Sequence, residues 1–427
     1  MTTPAAGQPD TRPHRPRLLF LAHRLPFPPD RGDRIRSFHL LQLLTQHFTV
    51  DLACTSDEPV HPEHRAALQA LTQRLAVQRI HRLSSRIRGA TALAGGMAIT
   101  PAMFFRRRLA RTIEGWQRET PYDALLTFCT GMAMYSRLIT GTPDAPNRDF
   151  RGRHVLDLVD VDSIKWQNYA SMTNPPVKLA YAAEAWRLRE VEAGVLDRFD
   201  AVTVISDAEA EAYRGNVGAS DKLHVVPNGV DLNYFQPLPD VTEQAGVHPH
   251  TLAFVGVLNY RPNVEGLRWF VRSVWPGLRH RLPDARLLVV GKHPGRAARA
   301  LAETPGVELV GPVPDVRDPL RQAAAVIAPL RLAMGVQNKV LEAMASARAV
   351  VCSPGAARGI AASDGEHLCV ADDPDQWVDT LVHVLTHTDA RRALAAAART
   401  QVQSRYAWDH CLAPMLTLLR GDQAAKT

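Results

Sequence analysis

The chain carries two successive series of short apolar runs that alternate with helical patterns. The first series begins at Arg17–His23, and the second begins at Thr251–Val257, after the aperiodic segment Leu232–Gly246. Strand-length apolar runs that alternate with helices are typical of parallel sheets covered by helices on both faces. We therefore expect an α/β protein with two Rossmann-like doubly wound domains, joined by a linker and facing across a ligand cleft.

The length of the chain agrees with this division, because 427 residues exceed one ordinary hydrophobic core. The predicted bounds are a disordered lead over residues 1–16, an N-terminal domain over residues 17–240 and a C-terminal domain over residues 247–404. A final helix over residues 405–421 follows the second domain.

Composition and charge narrow the classes of partner. An apolar fraction of 46% and a charged fraction of 22% are those of a soluble globular protein. The formal net charge of +7 comes from a basic side dominated by arginine, whose planar fork suits phosphates and anionic surfaces. The aromatic residues are few and are not interleaved with the arginines, so nucleic-acid binding is not indicated.

The cysteines and the termini favour a cytoplasmic protein. Five cysteines are scattered without the spacing of a zinc site, which predicts reduced thiols and no metal centre. The N-terminal Met1–Arg17 has no apolar core of a signal peptide, and no run approaches the roughly 20 apolar residues that span a bilayer.

The stretch Pro329–Ser353 predicts a phosphate site in the second domain. Gln337 and Asn338 stand where a helix begins, and Lys339 and Glu342 lie three residues apart on one side of it. A helix N-terminus offers unpaired backbone N–H groups, and a cation and a carboxylate beside it suit a diphosphate and a sugar hydroxyl. An ordinary surface ion pair explains the same spacing.

Acidic residues follow the apolar run His154–Val159 in the first domain. Asp160 and Asp162 come at the carboxyl end of this predicted strand, and we interpret them as carboxylates that orient ligand hydroxyls. They lack the glycine and the ligand count of a calcium loop. N-capping of the helix that begins at Ser163 explains them equally well.

A further segment has two interpretations. Gly89–Phe105 is apolar and is followed by Arg106, Arg107, Arg108 and Arg111, as in a segment that rests on an anionic membrane surface. A domain helix with a solvated arginine face is the commoner explanation of such a pattern.

Several motifs in order resemble one family. They are P-F-P-P-D-R-G-D-R-I-R (26–36), D-L-V-D-V-D-S (157–163), S-D-A-E-A (206–210), V-V-P-N-G-V-D (225–231), F-V-G-V-L-N-Y-R-P-N (254–263) and G-V-Q-N-K-V-L-E-A-M-A (335–345). Together they resemble the retaining glycosyltransferases of family four, which have two Rossmann-like domains in the GT-B arrangement. The resemblance is nearest to the subgroup associated with exopolysaccharide and PEP-CTERM export systems.

The resemblance implies a donor site in the second domain for a nucleotide-diphosphate sugar, with no other cofactor and no metal. Glu342 matches the second glutamate of the family's E-x7-E motif, whereas Met334 replaces the first glutamate. Val257 and Pro262 replace the family's Arg/Lys pair, so Arg261 and Lys339 are the nearest cations. The residues implied for donor binding and catalysis are Lys339, Arg261, Glu342, Gly335, Val336, Gln337, Asn338, Gly256 and Asn263.

The resemblance also implies an acceptor site in the first domain, for a glycan or a lipid-linked acceptor, with possible contact to the inner face of the membrane. Its candidate residues on the acceptor or diphosphate side are Gly32, Asp33, Arg36, His23, Asp160 and Asp162. The final helix would pack back toward the first domain, as it does in the family.

Two other functions fit the same architecture. A sugar-nucleotide epimerase would need its own acid and base, for which the sequence offers only Asp157, Asp160 and Asp162. A non-catalytic sugar-nucleotide-binding protein is suggested by Met334, but the presence of both Lys339 and Glu342 argues against it.

Overall fold

The computed structural model describes residues 15–142, 145–146, 150–171, 173–237, 248–331 and 336–421. The chain divides into two compact units, Met1–Thr203 with Leu416–Thr427, and Val204–Met415. The predicted linker positions between 240 and 247 lie outside the described residues, so the predicted domain bounds remain predictions.

The first half of the chain builds a mostly buried parallel sheet. Its strands are β1 (Arg17–Ala22), β2 (Thr49–Ser56), β3 (Arg74–Arg79), β4 (Ala124–Phe128), β5 (Gly141–Thr142), β6 (Ala145–Pro146), β7 (Arg153–Val159), β8 (Ala201–Val204) and β9 (Leu223–Val225). Seven of them form a sheet in the order β3-β2-β1-β4-β7-β8-β9, and β5 pairs with β6 separately. The pairs β1–β2, β1–β4, β2–β3 and β4–β7 are parallel.

Helices connect these strands, as parallel pairing requires. They are α1 (Gly32–His47), α2 (Pro62–Leu71), α3 (Arg82–Ala94), α4 (Ile99–Phe104), α5 (Arg107–Glu119), α6 (Ala133–Thr140), α7 (Asp162–Ser171), α8 (Val177–Val195) and α9 (Asp207–Asn216). On one face, Leu109 and Ile113 of α5 pack with Leu19, Leu21 and Leu125 of the central strands.

A second sheet repeats this plan. Its strands are β10 (His248–Val255), β11 (Arg286–Val290), β12 (Val307–Gly311), β13 (Ala323–Ala328), β14 (Ala349–Cys352) and β15 (Cys369–Val370), in the order β12-β11-β10-β13-β14-β15. All its pairs are parallel. Its helices are α10 (Arg261–Ser273), α11 (Trp275–Arg281), α12 (Arg296–Arg299), α13 (Arg317–Gln322), α14 (Asn338–Ala345), α15 (Pro354–Ala357), α16 (Pro374–Thr386) and α17 (Thr388–Arg405).

The strand order of each sheet reverses once near its centre. β1 lies beside β4 in the first sheet, and β10 lies beside β13 in the second. At such a reversal the loops after neighbouring strands leave toward opposite faces, and they open a crevice at the carboxyl ends of the strands. The predicted α/β fold with two doubly wound domains is confirmed, and such crevices are where ligands bind in doubly wound sheets.

The last helix, α18 (Trp408–Arg420), ends in the first unit. The Arg153 Nε donates to the carbonyl oxygen of Leu418 over 3.3 Å, and the Arg420 Nη2 lies 2.9 Å from the Nδ1 of His47. These contacts tie the end of the helix to β7 and α1.

Some elements differ from the sequence-based expectation. The strand β3 was not predicted, because its residues are half-buried at the edge of the sheet and show no alternation. The helical stretch that follows β10 is divided into α10 and α11, because Pro276 at the start of α11 lacks the N–H that would continue α10. The segment 89–105 is also divided, with Gly96 at a φ of 73° between α3 and α4.

Two properties of the described residues bear on the site. No described helix has both the length and the apolar character to cross a bilayer. Within the same residues, no group of three or more His, Cys, Asp and Glu side chains is placed to hold a metal ion.

A buried ion pair joins α1 to the centre of the first sheet. The Arg36 Nε donates to the Asp157 Oδ2 over 2.7 Å, and its Nη2 donates to the Oδ1 over 3.1 Å. The Thr203 hydroxyl donates to the same Oδ1 over 2.9 Å. Both charged side chains are fully buried, so this pair holds the crevice edge of the sheet in place.

We expect Asp157→Ala to destabilise the first unit strongly. The change removes the carboxylate that pairs with the fully buried Arg36 guanidinium, and breaking a buried ion pair costs about 3–5 kcal/mol. Glu119→Ala is the matched control, because it removes a carboxylate that pairs with Arg74 but is 70% exposed, and its expected cost is below about 1 kcal/mol. Urea unfolding measures both, and equal losses would contradict the role of the buried pair.

Candidate functional site

In the second unit, a glycine at the end of β10 leaves room for two polar side chains. A Cβ on Gly256 would stand 2.8 Å from the Asn263 Nδ2 and 3.1 Å from the Lys339 Nζ. Both separations are shorter than ordinary contacts. Gly256 therefore lets α10 and α14 bring these two side chains together at the reversal point of the sheet.

Lys339 is held there by defined contacts. Its Nζ donates to the Asn263 Oδ1 over 2.5 Å, and the Asn263 Nδ2 donates to the carbonyl oxygen of Val257 over 2.9 Å. The ammonium also lies 4.8 Å from the centroid of the Phe254 ring. The amide of Asn263 is thus oriented by the backbone, and it fixes the position of the cation.

Burial perturbs both charged groups of α14. It lowers the pKa of Lys339 to about 7, although Glu342 acts in the raising direction. Burial likewise raises the pKa of Glu342 to about 7, against the opposing charge of Lys339. Both residues remain partly accessible to solvent, so a ligand can reach them. A phosphate-bearing ligand would favour the charged form of Lys339.

α14 begins beside this cluster. Gln337 occupies the N-cap position without a side-chain cap, and Asn338 is the first helical residue. The Asn228 Nδ2 donates a hydrogen bond to the Asn338 Oδ1 over 3.4 Å. Val340, Leu341 and the other apolar residues of the helix are buried, so its N-terminal end is anchored. The positive end of the helix dipole adds to the charge of Lys339.

The other predicted donor-side residues are placed as follows. Val336 is buried beside Gly359, whereas Gly335 and Met334 lie outside the described residues. Arg261 begins α10, and its Nε donates to the Glu265 Oε1 over 2.7 Å on an exposed part of the helix. Lys339 therefore lies together with Asn263, while Arg261 pairs with Glu265.

In the first unit, a charged network follows β1. The Asp33 Oδ2 accepts from the Arg24 Nη1 over 2.6 Å and lies 3.2 Å from the His23 Nε2, while Arg31 contacts the other oxygen. Burial alone would raise the pKa of Asp33, but the hydrogen bond from His23 and the two arginines outweigh it and hold that pKa well below its usual range. Asp33 is therefore a carboxylate at the N-terminal turn of α1, which begins at Gly32.

His23 is the buried member of this network. Its ring stacks on Phe128 at 5.6 Å and meets Phe104 edge-on at 5.5 Å. Burial lowers the pKa of His23, so the imidazole is neutral at pH 7. Its Nδ1 has no hydrogen-bond partner among the described residues. Because the neutral ring donates from its Nε2 to Asp33, this nitrogen is left as a hydrogen-bond acceptor.

Two further carboxylates follow β7. Val159 adopts a φ of 69°, and the Asp160 N–H donates to the carbonyl oxygen of Leu158 over 3.0 Å in a tight turn. Burial raises the pKa of both Asp160 and Asp162, and the nearby Lys165 opposes the rise. Sheet topology places this turn at the same carboxyl edge as the loop after β4.

Sequence reasoning missed two cations and assigned a third to the site. Lys165 lies three residues after Asp162, and Asp162 and Asp160 outweigh its burial and raise its pKa. Arg24 is adjacent to His23 in the chain and bonds to Asp33. Both cations lie close in the chain to the predicted acids, Lys165 near Asp162 and Arg24 near Asp33, and this proximity could have indicated them. Arg36 is fully buried against Asp157, and its predicted role beside an acceptor stays a prediction.

Family models match both units of the chain. Residues 249–387 match the model described as Glycosyl transferases group 1, and residues 167–234 match the model described as Glycosyltransferase Family 4. The first match contains the whole Lys339 cluster.

Two relatives cover much of the chain. The uncharacterized 44.6 kDa protein in the cps region of Klebsiella pneumoniae is 22% identical over 405 residues, which cover 91% of this chain and 96% of that protein. The GDP-mannose-dependent alpha-(1-6)-phosphatidylinositol monomannoside mannosyltransferase of Mycobacterium tuberculosis is 26% identical over 321 residues, which cover 66% and 81%. These matches support a glycosyltransferase similar to family four.

Solved structures share the fold over nearly the full length. Sucrose-phosphate synthase from Thermosynechococcus elongatus superposes with a TM-score of 0.70 at 17% identity, covering 96% of this chain and 100% of that chain. Alr3699/HepE of Anabaena, in complex with UDP-glucose, has a TM-score of 0.61 at 14% identity, covering 94% and 99%. The fold is that of the GT-B glycosyltransferases, and the narrower exopolysaccharide subgroup stays a prediction.

We expect Gly256→Ala to disrupt the Lys339 cluster. The new Cβ must displace the Asn263 amide, so the free energy of unfolding should fall by about 1–3 kcal/mol. Lys339 would also lose the hydrogen-bond partner that orients it. Gly215→Ala on α9 is the control, because a Cβ there meets nothing within 4 Å, and it should stabilise the protein by up to about 1 kcal/mol. Thermal unfolding checks the opposite signs, and the same sign for both would contradict the close packing at Gly256.

We also expect the stability to depend on pH through Glu342. Its pKa is 4.5 in the unfolded chain and about 7 in the fold, so the fold retains the proton after the unfolded chain has lost it. The stabilisation from this proton is complete below about pH 4.5 and is lost as the pH rises through about 7.

The measurement is the free energy of unfolding of the wild type and Glu342→Gln across this range. The advantage of the wild type over the variant should decrease as the pH rises from 4.5 to 7. Glu303→Gln removes an exposed glutamate of the same unit and is the control for lost charge. A difference that grows with pH would contradict the raised pKa of Glu342.

Proposed function

We propose that this protein is a retaining glycosyltransferase that moves a sugar from a nucleotide-diphosphate sugar to an acceptor in the assembly of a bacterial surface polysaccharide. The comparisons support the coarser statement, a glycosyltransferase that uses nucleotide sugars in glycan biosynthesis. The location of one relative in a cps region supports the role in surface polysaccharide assembly.

The observation that carries the proposal is the Lys339 cluster at the carboxyl end of β10. It combines an oriented ammonium, an uncapped helix N-terminus and a carboxylate one turn later. Departure of a nucleotide diphosphate from a sugar develops negative charge on the leaving group. A cation and a helix N-terminus placed beforehand beside that charge stabilise the transition state more than the ground state. In the same proposal Glu342 contacts the donor ribose.

The acceptor side of the proposal uses the first unit. His23, Asp33, Asp160 and Asp162 follow the carboxyl ends of strands that include β1 and β7, where ligands bind in doubly wound sheets. The unpaired Nδ1 of His23 and the two carboxylates are the groups proposed to orient acceptor hydroxyls. We assign the acceptor to glycans or lipid-linked glycans, and we place the reaction in the cytoplasm at the inner face of the membrane.

Retention and metal independence each have a direct test. The proton NMR signal of the anomeric centre, recorded as product forms, should show the configuration of the donor sugar. Turnover should persist after the enzyme is treated with EDTA and assayed in its presence. An inverted product or complete loss of turnover with EDTA would overturn the respective part of the proposal.

We expect donor binding at pH 8 to take up a proton on Lys339. The free ammonium has a pKa of about 7, so it is mostly neutral at that pH, and a diphosphate raises the pKa by favouring the charged form. Calorimetry in two buffers of different ionisation enthalpy measures the uptake. GDP-mannose and UDP-glucose are the first ligands to test, because the mannosyltransferase of Mycobacterium tuberculosis is GDP-mannose-dependent and HepE of Anabaena has been solved in complex with UDP-glucose.

Matched variants assign the titrating group. Lys339→Met should abolish the uptake and weaken donor binding by roughly 10- to 100-fold. Lys222→Met, elsewhere in the same unit, should leave both unchanged. Uptake that persists in Lys339→Met but disappears in Glu342→Gln would contradict the assignment to Lys339.

A further inference from the structure

The first unit contains a cavity of about 590 Å³ between α3, α4, α6 and α8. Its wall is mostly apolar and includes Met97, Ala102, Phe105, Met134 and Val191. This volume is in the range of sites for small organic ligands. None of these wall residues belongs to the charged network around Asp33, so the cavity is a separate feature of the unit.

A buried carboxylate holds the walls of the cavity together. Glu184 of α8 is fully buried and accepts hydrogen bonds from the backbone N–H groups of Ile99 and Thr100, over 2.7 and 2.8 Å. It also accepts from the Thr100 hydroxyl over 2.9 Å. These bonds cap the N-terminus of α4 and tie it to α8. The cavity is therefore built into the fold.

The mouth of the cavity is positively charged. The charged residues of the cavity lining are exposed or partly exposed, so we assign them to its mouth, and they are four arginines and one glutamate, namely Arg88, Arg137, Arg187, Arg198 and Glu190. The Arg198 Nε donates to the carbonyl oxygen of Gly194 over 2.8 Å, and the Arg187 Nη1 lies 3.5 Å from the Met97 carbonyl oxygen. Burial lowers the pKa of Arg198, and the charge of Arg137 adds to this effect. The mouth thus suits an anion such as a phosphate.

The apolar wall continues onto the surface. Trp186 and Met97 both line the cavity, yet they are 61% and 59% exposed. Leu179 lies seven residues before Trp186 on the same face of α8 and is 70% exposed. Exposed apolar side chains beside a basic mouth are the features of a surface that takes up an amphiphile from a bilayer.

The floor of the cavity adjoins the His23 network. Phe105 lines the cavity, and the preceding Phe104 meets the His23 ring at 5.5 Å. The Tyr135 hydroxyl donates to the carbonyl oxygen of Phe104 over 2.9 Å and accepts from the Arg106 N–H over 2.5 Å. The segment Phe104–Phe105 thus separates the cavity from the His23 network.

We propose that this cavity binds the hydrocarbon chain of a phosphate-bearing lipid, with the arginines at its mouth on the phosphate. The apolar wall matches the chain, the basic mouth matches the charge, and the exposed rim allows entry from a bilayer. The identification of this lipid as the anchor of the acceptor rests on the proposed glycosyltransferase function. The binding site itself does not depend on that function.

The test uses the full chain and the series hexyl, octyl and decyl phosphate, each below its micelle-forming concentration, with calorimetry as readout. Affinity should rise roughly fourfold for each added methylene while the chain still fits the cavity. Decanol and inorganic phosphate should each bind at least tenfold more weakly than decyl phosphate, because each lacks one half of the ligand.

Three variants separate the cavity from general basic surface. Arg137→Gln removes an exposed charge of the mouth and should weaken the binding of decyl phosphate by roughly tenfold or more. Ala102→Phe fills part of the cavity and should abolish the gain from octyl to decyl. Arg111→Gln changes an exposed arginine of α5 outside the cavity and should change nothing. Thermal unfolding confirms that each variant is folded.

The possible outcomes decide the inference separately from the proposed function. Absence of chain-length dependence, or equal effects of Arg137→Gln and Arg111→Gln, would overturn the lipid site. Nucleotide-sugar binding measured on the same variants reports on the proposed function, since Lys339 lies in the other unit. Binding of decyl phosphate by a protein that binds no nucleotide sugar would support the cavity and count against the glycosyltransferase.

Discussion

The reversal of strand order in each parallel sheet is the constraint on which the candidate sites depend. β1 beside β4 and β10 beside β13 open a crevice at the carboxyl ends of the strands, because the loops at these positions diverge. Polar side chains can collect at such a crevice, and Asp33 and Lys339 both remain partly exposed there. The Lys339 cluster and the Asp33 network both occupy such positions.

The charged groups of the two clusters differ in whether their partners or their burial dominates the pKa. Asp33 is surrounded by His23, Arg24 and Arg31, and these partners outweigh burial and keep it ionised. Lys339 has the neutral amide of Asn263 as its hydrogen-bond partner, so burial dominates and its ammonium is weakly held. A site that must accept a highly charged leaving group gains from the second arrangement, because the ligand itself supplies the missing counter-charge.

The helices around the first sheet add a feature that the doubly wound plan does not require. α3 and α4 are inserted between β3 and α5, and Glu184 fixes α4 against α8. This insertion creates a cavity with an apolar wall beside the network around His23. Phe104 contacts His23 and the next residue lines the cavity, so the cavity and the His23 network share the short segment Phe104–Phe105.

Much of the fold was readable from the chain. Buried parallel strands such as β1 and β13 are continuous apolar runs, and the amphipathic pattern around Lys339 located α14 and its apolar side. The short edge strand β3 was not, since its half-buried residues show no alternation. Arg36 shows the same limit, because an arginine near a predicted site is equally compatible with exposure and with a fully buried pair.

The sequence by itself determined the α/β class, the two sheets and the position of Lys339 and Glu342 on one helix, because these follow from local periodicity and spacing. Only the tertiary structure decided that Asn263 orients Lys339, that Arg36 is buried in an ion pair with Asp157, and that four arginines belong to the lining of one largely apolar cavity. These contacts join residues far apart in the chain. Their distances depend on how the helices pack on the sheets, and no local pattern encodes that packing.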